Sequence, residues 1–479
     1  MRSQVEKALG LLRQSEAIEP YVFRPWLDGL SFRTIVDVYF PLSRAWALAE
    51  DCGYDSAAFL ARLPRPLPSL FESAAVVERG MEWMMASAKQ AAERYQAEEA
   101  SWRKAFFAEK PPEGPVLARR QEARLKAADA YSASRSYFLP LKLLGRAPGL
   151  NWNVAPPEEV ERRFAPYLDK PETLLDPSDP QPSFELSHGF TDRGRRHRWL
   201  RATPGATPDA TPDAIGTGTG EPENKPLWAH IIEPEGAKDP PTLVFLHGIA
   251  METEMWVGFE DAVLLAVDQG FRVIRPEGPW HGRRKLKGHF GGEPVLSWGP
   301  LGFLTYITRH LREAGQLIAW ARGQGGGPVA LMGLSLGGLT SQRLGTAANA
   351  WPEAYRPDAL MLLVVSGRAG SLEIGGRLAR ELGIPQKLAE SGWSEPNLAP
   401  YRLFAEPQEA PPLPPNRLFM LLGKHDELMP IEDGLALAKR WKVPEGNLSV
   451  SEQGHFSASL GLSDRPGIYK DFLDKVKSL

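Results

Sequence analysis

Ser335 stands at the centre of Gly333-Leu334-Ser335-Leu336-Gly337-Gly338, directly after the apolar run Pro328-Val329-Ala330-Leu331-Met332 and before a helix-compatible stretch opening Leu339-Thr340-Ser341. A strand, a sharp turn with serine at its apex and a helix would push the hydroxyl out above a sheet edge. The glycines two positions to either side let strand and helix approach. With 45 glycines in the chain the five-residue pattern alone is weak, and the strand before it and helix after it carry its weight. A serine hydroxyl is a poor nucleophile near neutral pH, so it requires a histidine to take its proton and a carboxylate to orient that histidine. Downstream, Gly423-Lys424-His425-Asp426-Glu427-Leu428-Met429-Pro430 follows an apolar run at 417–422, and Gln453-Gly454-His455-Phe456 follows the run at 448–451. Asp426 and His455 complete the order serine, acid, base, each at the end of an expected strand. Alone, Asp426 reads as a turn former that Glu427 could replace, and His455 as a surface or capping histidine. His425 is a rival base, but it adjoins the acid. The ordered set of three favours Ser335, Asp426 and His455 as one catalytic group.

Positioning them requires a parallel sheet. From 184 onward short β-branched or apolar runs alternate with helical ones, the pattern of strands joined by crossover helices. Strands are expected at 184–188, 227–233, 241–246, 271–275, 328–332, 359–365, 417–422 and 448–451, with site residues at their C-terminal ends. Residues 1–150 carry apolar positions at helical spacing, most clearly over 74–108, followed by a second helical stretch at 115–144. Tyr131, Tyr137 and Phe138 form an aromatic patch near its end and are read as packing. Pro and Asp cluster over 155–183 as a linker. The division expected is a helical N-terminal extension and linker, 1–183, and a catalytic domain, 184–479. A Thr/Pro/Gly/Asp-rich stretch at about 202–226, with a short TPDA repeat, has almost nothing to bury and is expected to be a mobile loop.

Composition narrows the classes. The chain of 479 residues has 56 Lys+Arg against 59 Asp+Glu, without the basic excess that binding a phosphate backbone demands, which argues against nucleic acid as a partner. One cysteine, Cys52, excludes disulfide frameworks and cysteine-based metal sites and fits a reducing compartment. The charged N-terminal stretch lacks the continuous apolar run of a secretory signal, so a cytoplasmic location is expected. No apolar run is long enough to span a bilayer, and any membrane contact would be peripheral. No metal and no organic cofactor is called for; the oligomeric state is left open.

On these motifs the chain resembles the α/β-hydrolase superfamily over roughly 184–479. The anchors are His247-Gly248 after Thr242-Leu243-Val244-Phe245-Leu246, the serine turn at 333–337, the acid loop and the base loop. The resemblance implies a mostly parallel sheet of about eight strands with helices on both faces, in addition to the N-terminal helical extension. It also implies an oxyanion hole of two backbone N–H groups, carried over by position to Leu336 and Ile249, with Ala250 as the fallback. His247 is then a loop-shaping residue. Where the family has a Gly-rich turn, this chain has a basic stretch, 275–292, with His281, Arg283, Arg284, Lys285 and Lys287. Arg283 and Arg284 read either as a cationic rim for an anionic substrate group or as a loop whose arginines pair with local carboxylates. The stretch is also similar to the branch around α/β-hydrolase domain-containing protein 18 and its bacterial relatives, which suggests a lipid-like ester. The segment 371–416 occupies the position of a cap over the pocket, with Trp393, Tyr401 and Phe404 as candidate acyl-pocket residues or inward packing. The activity implied is a serine esterase or lipase-like hydrolase, cleaving a small-molecule or lipid-like carboxylic ester or thioester through an acyl-enzyme. An acyltransferase using the same residues, or an inactive hydrolase fold serving as a scaffold, are the alternatives.

Overall fold

The computed structural model describes residues 25–64, 74–179, 182–202, 225–251, 260–325, 327–369, 376–460, 462 and 467–479. Ten strands build one sheet: β1 (Phe184–Leu186), β2 (Phe190–Asp192), β3 (Arg195–Ala202), β4 (Trp228–Pro234), β5 (Thr242–Leu246), β6 (Arg272–Pro276), β7 (Val329–Leu334), β8 (Ala359–Leu363), β9 (Leu418–Gly423) and β10 (Leu448–Ser451). Their order is β1-β3-β4-β6-β5-β7-β8-β9-β10, with β2 paired to β3. The six strands from β6 to β10 along this order run parallel, and β1 to β4 form an antiparallel end.

Every residue of β5, β7, β8 and β9 is buried, as expected of strands covered on both faces. Alternate side chains of β5 serve opposite faces. Val244 and Leu246 join Leu331 against α6 (Gly299–Gly323), α7 (Leu336–Ala347) and α8 (Ile431–Arg440). Leu243 and Phe245 join Ala330 and Met332 against α5 (Glu260–Asp268) and α10 (Gly467–Lys477).

The expected mostly parallel sheet of about eight strands is present, with two additions. β2 was not anticipated, and β3, Arg-Arg-His-Arg-Trp-Leu-Arg-Ala, is too charged to read as a strand. It forms because acidic partners meet its arginines: Arg198 with Glu233 of β4, Arg201 with Glu185 of β1, and Arg195 with Asp268 of α5. The Thr/Pro-rich stretch expected as a mobile loop lies, over 203–224, outside the described residues.

The helical N-terminal region includes α1 (Pro25–Thr34), α2 (Phe40–Asp51), α3 (Ala74–Phe106) and α4 (Gly114–Ala133). It packs on the sheet. Trp102 and Phe106 of α3 meet Trp199 of β3 edge to face, with centroids 5.0 and 5.1 Å apart, and Trp228 of β4 lies beside them. Trp46 and Phe59 gather a second core with Met81, Met85, Tyr131 and Phe138, which places Tyr131 and Phe138 in packing roles, as expected. The segment expected as a cap contains, in its described part, short helices at Arg377–Leu382, Ile384–Glu390 and Glu395–Leu398. No helix among the described residues is long and apolar enough to cross a membrane.

Because Trp102 joins α3 to the antiparallel end of the sheet, Trp102→Ala should lower stability by about 3–5 kcal/mol. Urea unfolding followed by far-UV circular dichroism should show a lower midpoint and a single transition, since helices and sheet share that cluster.

Candidate functional site

β7 runs into α7 through one residue. Ser335 has φ +52° and ψ −115°, a conformation costly for a residue with a side chain, and it projects the hydroxyl from the sheet edge. Its N–H bonds to Leu363 O at 3.0 Å and its carbonyl receives the Leu339 N–H at 2.8 Å, so both neighbouring elements hold the turn. The flanking glycines are required by proximity. A Cβ on Gly333 would strike Ser341 Oγ and the Gly337 carbonyl, and one on Gly337 would strike the carbonyls of Leu246 and His247.

The three residues expected to act together are brought together. Ser335 Oγ lies 2.9 Å from His455 Nε2, and His455 Nδ1 lies 2.7 Å from Asp426 Oδ2. Asp426 accepts at Nδ1, which fixes the neutral imidazole's proton there and leaves Nε2 to accept from the serine hydroxyl. The other carboxylate oxygen of Asp426 accepts the Leu428 and Met429 N–H groups, both at 2.8 Å, so the acid is held by its own loop. The rivals lie elsewhere. Glu427 is exposed and pairs with Arg377, and His425 is exposed, its Nε2 3.6 Å from Glu452.

Leu336 opens α7, and its N–H is one of the helix's first donors, which have no carbonyl partner within the helix. In the facing loop Ala250, at φ +69°, donates its N–H to His281 Nε2 at 3.3 Å, whereas the Ile249 N–H has no hydrogen-bond partner among the described residues. Of the two candidates in that loop, Ala250 is therefore already engaged. His247 shapes the loop: Nε2 accepts the Gly278 N–H at 2.8 Å, and Nδ1–H donates to Gly248 O at 2.5 Å.

Behind the site the buried histidines are held neutral. Burial, with His281 and His310 nearby, lowers His247 well below the usual histidine range. Burial likewise lowers His281 to about 3, against a backbone bond to Pro279 that works the other way.

The basic stretch is the main departure from expectation. Arg283 and Arg284 do not border the cavity and form no cationic rim; the side chains of both are buried and paired with acids. Arg283 pairs with Glu277 and, at 2.9 Å, with Glu99 of α3, and its guanidinium lies against the rings of Trp102 and Trp228. Arg284 forms a two-toothed pair with Glu313 of α6 at 2.6 and 2.7 Å. Burial pushes the carboxyls of Glu99 and Glu313 up, and the surrounding arginines outweigh it, holding both well below the carboxylate range. Lys285 reaches Glu50 of α2 at 2.5 Å. Trp393 also stands outside the cavity wall, buried with its Nε1–H on Ala155 O at 2.8 Å, and Tyr401 and Phe404 pack inward.

The cavity over Ser335, about 420 Å³, is mainly apolar. The segment 376–416 contributes Leu378, Ile384 and Leu388, and the acid loop Leu428 and Met429. Phe32, Ile35, Tyr39 and Phe40 come from the N-terminal region. These four went unremarked in the sequence. Only the aromatic content of 21–40 hinted at them, and nothing in the spacing ties that segment to a serine three hundred residues away. Among the described residues no three His, Cys, Asp or Glu side chains gather as metal ligands.

The architecture is the α/β-hydrolase fold. Residues 243–466, just under half of the chain, match the model of the alpha/beta hydrolase family, which supports placing the chain in the α/β-hydrolase superfamily. No curated protein matches the sequence. Solved structures similar to this one include an acetyl xylan esterase from Paenibacillus sp. R4, 13% identical, with 68% of this chain and 96% of that one covered at a TM-score of 0.46. Acetyl xylan esterase 1 from Thermoanaerobacterium sp. JW/SL YS485 is 14% identical, with 68% and 96% covered at 0.41. A bacterial heroin esterase is 16% identical, with 68% and 94% covered at 0.38. At such values the function has to be read from the site itself.

Two outcomes follow from the buried charges. Arg283→Ala leaves Glu99 and Glu277 short of a cation and should cost about 3–5 kcal/mol in urea unfolding, with no change in preference between anionic and neutral esters. His281 titrates lower folded than unfolded, so the unfolded chain binds the extra proton and stability falls as pH drops from about 6.5 toward 3. His281→Gln should reduce that slope by up to about 1.4 kcal/mol per pH unit, measured as urea midpoints between pH 6.5 and 4.

Proposed function

We propose that the protein is a serine hydrolase that cleaves carboxylic esters or thioesters bearing an apolar acyl group. One observation carries this reading: the Ser335 hydroxyl, bonded to His455 and through it to Asp426, opens into a cavity walled mainly by apolar side chains. In the first step Ser335 Oγ attacks the carbonyl carbon while its proton passes to His455 Nε2. Asp426 stabilises the imidazolium, and the N–H groups of Leu336 and Ile249 hold the developing oxyanion. The bond to the leaving oxygen or sulfur then breaks, and that atom takes the proton from His455. Water, deprotonated by the same imidazole, attacks the acyl-enzyme and restores the serine. At about 420 Å³ the cavity suits a small-molecule acyl group, and the arginine along its mainly apolar wall is Arg135, whereas Arg283 and Arg284 stay with their acids.

Within this reading we propose kinship with the branch around α/β-hydrolase domain-containing protein 18. That branch pairs a Gly-Arg-Arg-Lys stretch with a helical N-terminal region. What supports it is that Arg283 and Lys285 bind Glu99 and Glu50 of the N-terminal helices.

A fluorophosphonate probe should label wild-type protein and leave Ser335→Ala unlabelled. Against p-nitrophenyl esters, His455→Ala should lower kcat by at least about 10³-fold. kcat/KM should rise with acyl length until the cavity is filled, and Val295→Phe, which enlarges a side chain of the cavity wall, should move that optimum to shorter chains. Equal labelling of wild type and Ser335→Ala would remove the enzymatic reading in favour of a scaffold.

A further inference from the structure

On the hydrolase reading, the structure assigns Asp28 and Tyr39 as positioning residues for the catalytic site, one acting on His455 and the other on the oxyanion loop. Both belong to one short stretch, α1 and the turn of helix at Ile35–Tyr39 that follows it.

At the front of the stretch Asp28 lies against α9 (His455–Leu460), the segment that carries the base. Its Oδ1 accepts the Phe456 N–H at 2.6 Å and the Ser457 N–H at 3.1 Å, and its Oδ2 accepts the Ser457 hydroxyl. Ser457 Oγ in turn accepts the Gly454 N–H at 3.1 Å. One carboxylate therefore meets three donors in the two residues after His455, and through Ser457 it also fixes the residue before it. The sequence makes room for this: a Cβ on Gly454 would lie 2.5–2.9 Å from the carboxyl group of Asp28. The imidazole must span 2.9 Å to the serine and 2.7 Å to Asp426 at once, and the backbone from which it projects is held by a side chain from the other end of the chain.

At the rear, the Tyr39 hydroxyl donates to Ala250 O at 3.1 Å. The N–H of Ala250 is held by His281, so the peptide groups on both sides of this left-handed residue are anchored, and Ile249 immediately before it is set in place. Between these ends Phe32 and Ile35 border the cavity. The stretch thus links the base to the oxyanion loop along one wall of the cavity, as groups behind a reactive centre hold it to within about half an ångström.

The test compares Asp28→Ala, Asp28→Asn and Tyr39→Phe with wild type, each checked for an unchanged melting transition. The readouts are fluorophosphonate labelling rate and separate kcat and KM on a short-chain p-nitrophenyl ester. Asp28→Ala should lower kcat and the labelling rate about 10- to 100-fold with KM within about threefold, the scale of losing a group that orients a reactive one. Asp28→Asn keeps an acceptor oxygen for the two backbone donors and should recover to within about threefold of wild type. Tyr39→Phe should lower kcat roughly fivefold, the scale of one neutral hydrogen bond. Should Asp28→Ala fail to fold, Asp28→Glu takes its place, since it keeps the charge and displaces the oxygens, and its kcat should fall with KM unchanged. Folded variants that label and turn over at wild-type rates, or equal impairment of Asp28→Ala and Asp28→Asn, overturn the assignment while the hydrolase reading stands. Wild-type protein that does not label overturns both.

Discussion

At position 335 the backbone passes from strand to helix in a single residue held at positive φ, and the molecule is arranged so that this turn survives. Strand β7 and helix α7 can meet there only because Gly333 and Gly337 have no side chains, and the second packs directly on the carbonyls ending β5. The strain is confined by bonds to β8 and within α7. The hydroxyl it exposes is useful only when an imidazole stands on one side and unoccupied N–H groups on the other. Each of those demands falls on a loop leaving the same edge of the sheet. The parallel order from β6 to β10 is what delivers the loops to one edge, and the two buried faces keep the strands in register.

Much of this was legible because it is local. The strand before Ser335, the runs before Asp426 and His455, and the small residues around the turn all sit within a few positions of what they position. The continuous apolar runs of the parallel strands reflect burial on both faces, a requirement that composition displays directly. What stayed hidden depends on partners distant in sequence. β3 reads as a charged loop until Glu185, Glu233 and Asp268 are placed beside its arginines. Arg283 and Arg284 read equally as a rim for an anion or as ion-pair members, and the choice between them rests on Glu99 and Glu313. Trp393 lies in a segment that borders the cavity, but through aliphatic neighbours, Leu378, Ile384 and Leu388.

The buried ion pairs do more than neutralise one another. A charge withdrawn from water is tolerated only with close, well-formed partners, so each pair specifies one arrangement of the elements that carry it. Glu99 with Arg124 and Arg283 registers α3 and α4 against the loop after β6, while Glu313 with Arg284 and Arg309 registers α6 against the same loop. That loop carries His281, whose ring holds Ala250. The N-terminal helices are thereby coupled to the neighbourhood of Ser335 by electrostatics as well as by the aromatic cluster.

The bond between Asp28 and Phe456 joins residues 428 positions apart. Closing so long a loop is entropically expensive, and such contacts form late, after local structure has formed. During synthesis Asp28 must therefore wait for its partners until the segment that carries Phe456 and Ser457 has emerged from the ribosome. A nascent chain can hold a finished serine turn well before it holds a finished site, and this long unpartnered interval is when such a protein would most depend on chaperones.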